Sequence, residues 1–449
     1  MISNRLLPLV FAALVAPVAA LASGVDQVRP NILMIVADDV GVDRIGAYGE
    51  HPDAGQTPSI DRLAARGILF RNAWSNPSCS PTRAAILTGR HGFRTGIGKP
   101  IAASVLAGSF RGLRLSETTL PEMLGAGYQS IALGKWHLST ESDGLDHPQR
   151  SGFQSYAGAM RNLFGDADVG IGDERFDYFR WQKTTDGNTV ISETYTTTDT
   201  VNDALAAVDT LVEPWFIYLA FNASHKPLHV PPDHLHGFDL SGVPLANPVP
   251  HMKAMTEAMD REIGRLLAGV DFQDTTVMFL GDNGTGGFAM DAPFDPTQGK
   301  GSLYESGINV PFIIAGSGVA QAGRECAALV GVTDLFATMG ELAGQPTDTA
   351  RDSVSLVPYM LDPGRHSQRK YVYSEKFRPN GLGPYTAHIQ AVRGRRYKLI
   401  WRPLGGTPQF FDLDMDPFEQ NDLMLQRRTP AEQRALVELK AALIRLTAD

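Results

Sequence analysis

Four apolar runs of strand length, each followed by polar residues, restrict the fold of this 449-residue chain more than any other feature. They occupy residues 31–37, 130–133, 215–221 and 275–280. A continuous apolar run is typical of a strand that is covered on both faces, as in a parallel sheet flanked by helices. Ligands bind at the carboxyl ends of such strands, so we expect the polar residues after the four runs to converge on one crevice.

Stretches with helical periodicity separate these runs. They are Ser59–Arg66, Leu120–Leu124, Thr198–Leu211 and Met252–Leu267. Strands that alternate with helices predict an α/β fold in which a large, mostly parallel sheet is sandwiched by helices.

The pattern changes after about residue 365. Short strand-like segments follow at 370–374, 387–392, 397–401 and 409–413, and an amphipathic helix is expected at 430–446. These elements predict a smaller C-terminal antiparallel sheet with a terminal helix. We therefore expect a large α/β domain over residues 23–365 and a small C-terminal α+β subdomain over residues 366–449.

The first 22 residues have the pattern of a secretory signal peptide. Arg5 precedes an apolar stretch over residues 6–20, and Ala20 and Ala22 give a small-x-small site for cleavage after residue 22. The stretch is short and rich in Ala and Pro for a membrane span, although an uncleaved anchor is the alternative. We expect a mature chain without a membrane span, exported to the periplasm or the extracellular space.

Charge and cysteine content exclude several functions. The formal net charge of −9 gives no general attraction for nucleic acid, so any anion has to be met by local cations. The basic run 393–398 is expected to be solvated surface. The two cysteines, Cys79 and Cys326, form no CxxC pair and give no support to a zinc site. Cys326 has apolar neighbours and is expected to be buried, and we expect no disulfide.

Residues 79–90, CSPTRAAILTGR, carry the strongest chemical signal. Pro81 suits the first turn of a helix that residues 84–87 continue, so Cys79 is expected just ahead of a helix N-terminus. Free backbone N–H groups there favour an anion, and Arg83 can fold back on the same spot. A capped helix with a buried cysteine is the alternative interpretation.

The run resembles the signature of the type I sulfatases, C-x-P-S/T-R followed by four residues and T-G-R. Segments 299–316 and 410–423 resemble two further elements of that family, which belongs to the alkaline phosphatase superfamily. The resemblance implies that a maturating enzyme converts Cys79 to Cα-formylglycine. One oxygen of the hydrated aldehyde would attack sulfur, and the other would collapse to the carbonyl and expel sulfate.

Two of the strand ends carry oxygen ligands. Asp38 and Asp39 follow the first run, and Asp282 and Asn283 follow the fourth. Carboxylate and amide oxygens favour Ca²⁺, with Mg²⁺ as the second choice, although an Asp pair can also cap a turn. The resemblance implies that these four residues bind one divalent ion together with modified Cys79.

The resemblance also assigns the sulfate-binding and proton-transfer groups. They are Lys135, His137, His225 and Lys300, with Arg83 supporting the formylglycine and the metal. Cations aimed at the sulfate oxygens stabilise the charge that develops in the transition state. His225 or Lys300 would protonate the departing alcohol, and His137 would act as the base that completes sulfate release. Taken singly, each residue can also be a solvated lysine or a packed histidine.

The sequence thus predicts a secreted sulfuric ester hydrolase that acts on a small aryl sulfate or a sulfated sugar. Two alternatives remain: a formylglycine-dependent phosphonate or phosphate ester hydrolase, and a non-catalytic binder of sulfated sugars with an unmodified Cys79. The acidic residues of segment 410–423 also allow a metal site, but a solvated turn that fixes the small subdomain is favoured.

Overall fold

The computed structural model describes residues 29–102, 112–163, 177–348 and 351–448, so the expected signal peptide lies outside the described residues. The strands are β1 Asn31–Ala37, β2 Gly67–Trp74, β3 Gln129–Gly134, β4 Ser155–Gly158, β5 Trp181–Thr185, β6 Asn188–Ser192, β7 Trp215–Ala220, β8 Thr275–Gly281, β9 Phe312–Gly316, β10 Arg324–Gly331, β11 Val372–Arg378, β12 Ala387–Arg393, β13 Tyr397–Trp401 and β14 Gln409–Asp412. The α-helices are α1 Pro58–Ala65, α2 Cys79–Thr88, α3 Gly92–Thr95, α4 Leu120–Leu124, α5 His147–Arg150, α6 Thr196–Thr210, α7 Pro248–Leu267, α8 Glu305–Ile308, α9 Asp334–Ala343, α10 Val357–Leu361 and α11 Pro430–Leu446.

A large sheet forms the centre of the molecule, with its strands in the order β10-β2-β9-β8-β1-β7-β3-β4-β5-β6. The strands β8, β1, β7, β3 and β4 run parallel to one another. Strand β9 is antiparallel to both of its neighbours, and β5 and β6 form an antiparallel pair at one edge. The predicted α/β class with a mostly parallel sheet is confirmed.

Burial explains why β1 lacks an alternating pattern. Ile32 and Met34 belong to the apolar layer on one face of the sheet, which includes Ala85 of α2. Leu33 belongs to the layer on the other face, which includes Ile263 of α7. Burying one such aliphatic side chain contributes about 1.5–3 kcal/mol. After Asn31, every residue of β1 is therefore apolar on both faces.

Helix α2 begins at Cys79, one residue earlier than the sequence pattern indicated. Ser78 is extended at φ −160° and forms the N-cap, and the N–H of Thr82 donates to its carbonyl oxygen at 3.3 Å. Cys79 is therefore the first residue of α2 rather than the residue ahead of it. The free N–H groups of the first turn still surround position 79.

The small sheet is antiparallel, with strands in the order β11-β12-β13-β14. One face packs against α11, where Leu439 contacts the cluster that includes Val392 and Phe410. The opposite face packs on the main body of the protein, against Trp74 and Ile308. The predicted C-terminal sheet and helix are thus present, and the sheet is covered on both sides.

The basic run 393–398 is not solvated throughout, so the expectation of a solvated surface is wrong at its two ends. Arg393 and Lys398 are buried at 8% and 0% exposure. Arg393 Nη1 lies 2.6 Å from Glu305 Oε2, and Lys398 Nζ lies 3.0 Å from Glu305 Oε1. A buried charge requires a partner. Here the partner is Glu305 of α8, which belongs to the main body and packs against the small sheet.

Both cysteines are free and buried, and Cys326 lies in the apolar layer beside the large sheet. Among the helices of the described residues, none combines the length and the apolar character needed to cross a bilayer.

Candidate active site

The loops that follow β1, β7 and β8 are joined by backbone hydrogen bonds that extend the sheet beyond its strands. Asp38 N donates to Ala223 O at 2.9 Å, and Ser224 N donates to Asp38 O at 2.7 Å. Asp282 N donates to Ala37 O at 2.9 Å. The side chains that leave these loops are therefore fixed relative to one another.

The five residues expected to hold a metal lie together at this edge and are buried. One ligand atom each of Asp38, Cys79 and Asp282 lies within 4.8 Å of the other two. Asn283 Nδ2 donates to Asp39 Oδ1 at 2.9 Å, which joins the remaining two residues to the cluster. Segments distant in sequence thus meet at one point, as expected for polar residues at the carboxyl ends of parallel strands.

The oxygen atoms of this cluster fit a hard cation. Asp38 Oδ1 and Asn283 Oδ1 are buried without a hydrogen-bond partner among the described residues. Leaving a buried acceptor unpaired costs about 1–3 kcal/mol, and a cation held by these residues would remove that cost. Oxygen ligands of this kind suit Ca²⁺ or Mg²⁺. A ring nitrogen of His225 also lies within 4.8 Å of a carboxylate oxygen of Asp38 and of Asp39.

Each of the three carboxylates pairs with a cation. Arg83 Nε and Nη2 donate to Asp282 Oδ2 at 3.1 and 2.9 Å. Lys135 Nζ pairs with Asp38 Oδ2, and Lys300 Nζ lies 2.5 Å from Asp39 Oδ1. Arg83 also anchors the loop after β3, because its Nη1 donates to the Lys135 carbonyl at 2.7 Å.

These contacts separate the pKa values of two neighbouring carboxyl groups. Burial alone would raise the pKa of Asp38, but Lys135, His225 and Arg83 hold it well below its usual range. Burial and the charge of Asp38 raise the pKa of Asp282 well above its usual range. One negative charge is therefore favoured over two where the carboxylates meet without a metal.

His137 faces Cys79 as a neutral hydrogen-bond acceptor. Its Nε2 lies 3.2 Å from Ile101 O, and its Nδ1 lies 3.3 Å from Cys79 Sγ. A carbonyl oxygen only accepts, so the ring hydrogen resides on Nε2 and Nδ1 is free to accept. Burial and the Lys135 charge lower the pKa of His137 well below its ordinary value.

Two residues of the site have a strained backbone. Asp39 and His137 have φ values of 62° and 55°, in the left-handed region that residues other than glycine rarely occupy. Such conformations cost of order 1–3 kcal/mol and persist where the surrounding contacts impose them. Both aim a side chain at the cluster around Cys79.

A family model described as Sulfatase matches residues 30–345, and one described as N-sulphoglucosamine sulphohydrolase, C-terminal, matches residues 297–449. N-acetylgalactosamine-6-sulfatase of Homo sapiens is 33% identical over 403 residues, spanning 82% of this chain and 73% of that protein. The chain belongs to the sulfatase family. The resemblance drawn from residues 79–90 is therefore confirmed, and this sulfatase is an enzyme.

Two further comparisons cover more of the sulfatase. Arylsulfatase G of Rattus norvegicus is 28% identical over 490 residues, which span 94% of this chain and 87% of that protein. A crystal structure of Ps i-CgsB in complex with k-i-k-neocarrahexaose matches with a TM-score of 0.76 at 25% identity, and the match covers 93% of this chain and 92% of that chain. The similarity thus extends through both sheets.

His225 and Lys300 mark the open side of the sulfatase site. His225 is half-buried and Lys300 is 20% exposed, whereas the side chains of Arg83 and Lys135 have no exposed surface. Burial, Lys300 and Lys135 lower the pKa of His225 to about 4. Burial opposes the charge on Lys300, but Asp39 and its neighbours raise the pKa of Lys300 above its ordinary value.

Tyr178 is a supporting residue that the sequence analysis missed. Its buried hydroxyl lies 2.6 Å from Asn222 O and 2.7 Å from His225 O, which fixes the loop that carries His225. Main-chain carbonyls accept these bonds, so no pair of side chains in the sequence signals the contact. The sequence also gives no sign that Ile101 O orients His137.

The segment 410–423 fixes the small sheet, but it is not solvated throughout. Asp416 accepts hydrogen bonds from Gln420 N and Asn421 N at 3.0 and 2.7 Å, which closes a turn. Glu419 is 4% exposed and lies 2.9 Å from Lys398 Nζ, and its other oxygen accepts from Glu305 N. The expectation of a solvated turn is wrong for Glu419.

Proposed function

We propose that this sulfatase hydrolyses sulfate monoesters of carbohydrates, with formylglycine at position 79 and a bound divalent ion, Ca²⁺ before Mg²⁺. The observation that carries the proposal is the buried cluster of Asp38, Cys79 and Asp282. Asp38 Oδ1 and the neighbouring Asn283 Oδ1 have no hydrogen-bond partner among the described residues. A carbohydrate substrate is supported by the similarity of this chain to N-acetylgalactosamine-6-sulfatase and to Ps i-CgsB, which was crystallised with k-i-k-neocarrahexaose. A small aryl sulfate remains the simplest substrate for assay.

Asp38, Asp39, Asp282, Asn283 and residue 79 would hold the divalent ion. Such an ion, when bound, polarises a sulfate oxygen and lowers the pKa of a coordinated hydroxyl group. The three carboxylates supply the negative charge that retains a divalent cation in a buried site.

Position 79 suits an oxygen nucleophile. The first turn of α2 directs backbone N–H groups and the positive end of the helix dipole at this residue. Hydrated formylglycine supplies one oxygen for attack on sulfur and a second for the release of sulfate. Arg83 lies one turn further on, and its two bonds to Asp282 hold that carboxylate beside residue 79.

The remaining residues bind the sulfate and move protons. Lys135 and Lys300 place ammonium groups where negative charge grows on the sulfate oxygens. His137 accepts a proton at Nδ1, which faces residue 79 at 3.3 Å from its sulfur. His225 or Lys300, on the open side of the site, donates a proton to the departing alcohol.

The test uses protein co-produced with a formylglycine-generating enzyme. Sulfate release is measured from an aryl sulfate and from sulfated mono- and disaccharides, beside phosphate release from the matching aryl phosphate. The proposal expects kcat/KM to be highest for a sulfated sugar. Faster cleavage of the aryl phosphate would contradict it, and so would a purified chain that binds sulfated sugars without cleaving them.

The predicted signal peptide also makes export part of the proposal. The fractionation of cells that produce the full chain, followed by N-terminal sequencing of the product, tests it. Cleavage after Ala22 and recovery outside the cytoplasm are the expected results, and an intact N-terminus in the cytoplasm would contradict them.

A further inference from the structure

The face of the small sheet that packs on the main body ends in a row of cations. Lys376 of β11 pairs in register with Ile389 of β12, and Arg402 follows β13 directly. Ile389 packs against the apolar cluster that contains Trp74 and Ile308, so this row lies at the seam between the two sheets. Arg378, two residues after Lys376, lies on the same face of β11 because side chains alternate along a strand.

The end of β11 lies against two segments of the active site. Lys376 Nζ donates to Gly301 O, and Gly301 is the exposed residue that follows Lys300. Asn380 Oδ1, just beyond β11, accepts from Gly98 N at 2.9 Å. That segment continues to Ile101, whose carbonyl orients His137. The end of β11 therefore flanks the open side of the site.

The cations of this row lack counter-charges. Within the part of the chain that the structure describes, Lys376, Arg378 and Arg402 form no ion pair with a carboxylate. Arg402 instead donates to Thr407 O at 2.6 Å and to Gln409 Oε1 at 2.9 Å.

The like charges of Lys376 and Arg402 also repel each other. Burial and the charge of Arg402 lower the pKa of Lys376. Neighbouring like charges without counter-ions disfavour the folded state, and the positive potential they create attracts an anion. In a chain with a net charge of −9, three neighbouring cations without a carboxylate partner among the described residues form a local site of positive potential beside the active site.

We propose that Lys376, Arg378 and Arg402 form a subsite for a second anionic group of the carbohydrate substrate, a carboxylate or an additional sulfate. This inference rests on the proposed sulfate ester hydrolysis at residue 79. Lys376 contacts the residue next to Lys300, so the second group belongs to the same sugar or to the adjoining one. A guanidinium group can bind a carboxylate or a sulfate through two parallel hydrogen bonds.

The variants Lys376→Met and Arg402→Gln test the subsite, with Lys370→Met as the matched control. Lys370 is 74% exposed on the same subdomain. The substrates are a monosulfated disaccharide, the same disaccharide with a second sulfate, its uronic acid counterpart, and an aryl sulfate without other charges. For each doubly charged sugar that the subsite accepts, the ratio of its kcat/KM to that of the aryl sulfate should fall about tenfold in both variants. The control should keep the wild-type ratio.

An equal loss on all four substrates, or none on either doubly charged sugar, would overturn the subsite. The two doubly charged sugars distinguish a carboxylate from a second sulfate. Failure of the proposed function gives a different result, because the wild type would then release no sulfate from any of them. Thermal unfolding of each variant, and calorimetric titration of the doubly charged sugar into Cys79→Ala carrying Lys376→Met, separate lost binding from misfolding.

Discussion

Arg83 illustrates how individual residues of this site can be buried and charged at once. Its side chain has no exposed surface, and its donors are used by Asp282 and by the Lys135 carbonyl. An isolated buried guanidinium would be strongly unfavourable, but a paired one fixes the positions of its partners. The same holds for Lys135 with Asp38 and for Lys300 with Asp39.

The first prediction concerns the nucleophile. Cys79→Ala should abolish sulfate ester hydrolysis, because alanine supplies no group that can become an aldehyde. Its melting temperature should stay close to that of the wild type, since the small side chain is tolerated in a helix. Activity and thermal unfolding are measured together, and mass spectrometry of the wild-type peptide should show the aldehyde, which is lighter than the thiol. Substantial activity in the variant would place the nucleophile elsewhere.

The second prediction concerns the metal. A ligand that binds only the folded state stabilises it by about 2.7 kcal/mol at a hundred times its dissociation constant. Addition of Ca²⁺ to chelator-treated protein should therefore raise the melting temperature, and Asp38→Asn should reduce that rise. Asp239→Asn serves as the control, because Asp239 is exposed and distant in sequence from the cluster. An equal rise in both variants would exclude Asp38 as a ligand.

At the scale of elements, the segment that carries Lys300 is held by the small sheet. Gly301 N donates to Pro77 O at 2.7 Å, close to Cys79 in sequence. A few residues on, Glu305 binds Lys398 and Arg393 of the small sheet, and its N–H donates to Glu419. Three segments distant in sequence thus hold the loop that carries Lys300.

The third prediction follows from the charge of Glu419. Burial raises the pKa of Glu419, Lys398 opposes the change and Glu305 adds to it, giving a value of about 7. A carboxyl group whose pKa is higher in the folded state contributes stability that is complete below its unfolded pKa, near 4.5, and is lost as the pH rises through about 7. The contribution of Glu419 to the free energy of unfolding should therefore fall between pH 5 and pH 8, by about 3 kcal/mol at most.

Glu419→Gln should flatten that pH dependence, because glutamine does not titrate. Urea unfolding at four pH values between 5 and 8 measures the difference between the variant and the wild type. Glu438→Gln, at a side chain that is 61% exposed, is the control and should follow the wild type. Parallel curves for wild type and Glu419→Gln would refute the prediction.

The elements that sequence reasoning identified share one property. The strands β1, β7 and β8 are buried at every position, so their apolar runs are continuous and easily recognised. The edge strand β6 has the sequence NTVIS and is largely exposed. Its polar residues interrupt the apolar pattern, so the sequence analysis did not identify it as a strand. The antiparallel insertion of β9 between β8 and β2 is equally invisible, because the direction of a strand leaves no mark on its composition.

At the scale of the whole molecule, the two sheets share one apolar cluster. Trp74, Leu303 and Ile308 of the main body pack with Val372 and Ile400 of the small sheet. Separate folding of the two parts would expose these side chains to water. The boundary at residue 365 is therefore proposed as a change of architecture, not as a break between independent folding units.

The fourth prediction is a single unfolding transition. Calorimetry of the full chain should give equal calorimetric and van't Hoff enthalpies. The reason is that unfolding of one sheet would expose to water the apolar side chains that the other sheet packs against it. A chain that ends at residue 365 should be aggregation-prone for the same reason. Two resolved transitions, or a soluble and folded truncated chain, would show that the parts are independent.

The site was easier to predict than its surroundings. Strand ends and the run 79–90 identify the residues whose chemistry depends on side-chain type, and the structure brings those residues together. The sequence analysis missed the contacts that hold the site residues in place. Some of these contacts use main-chain atoms, as at Ile101 and Tyr178. Others join charges that are distant in sequence, as Glu305 and Lys398 are. Neither kind of contact produces a local pattern in the sequence.

The burial of Cys79 restricts when its side chain can be modified. Its side chain is 1% exposed, beneath the loops of four strands and behind His137, so a second enzyme cannot reach it once the chain has folded. The proposed conversion of Cys79 to formylglycine therefore has to occur while this stretch is still extended. The proportion of competent molecules in any preparation is then set during biosynthesis, and later incubation of the purified thiol form with the oxidase cannot raise it.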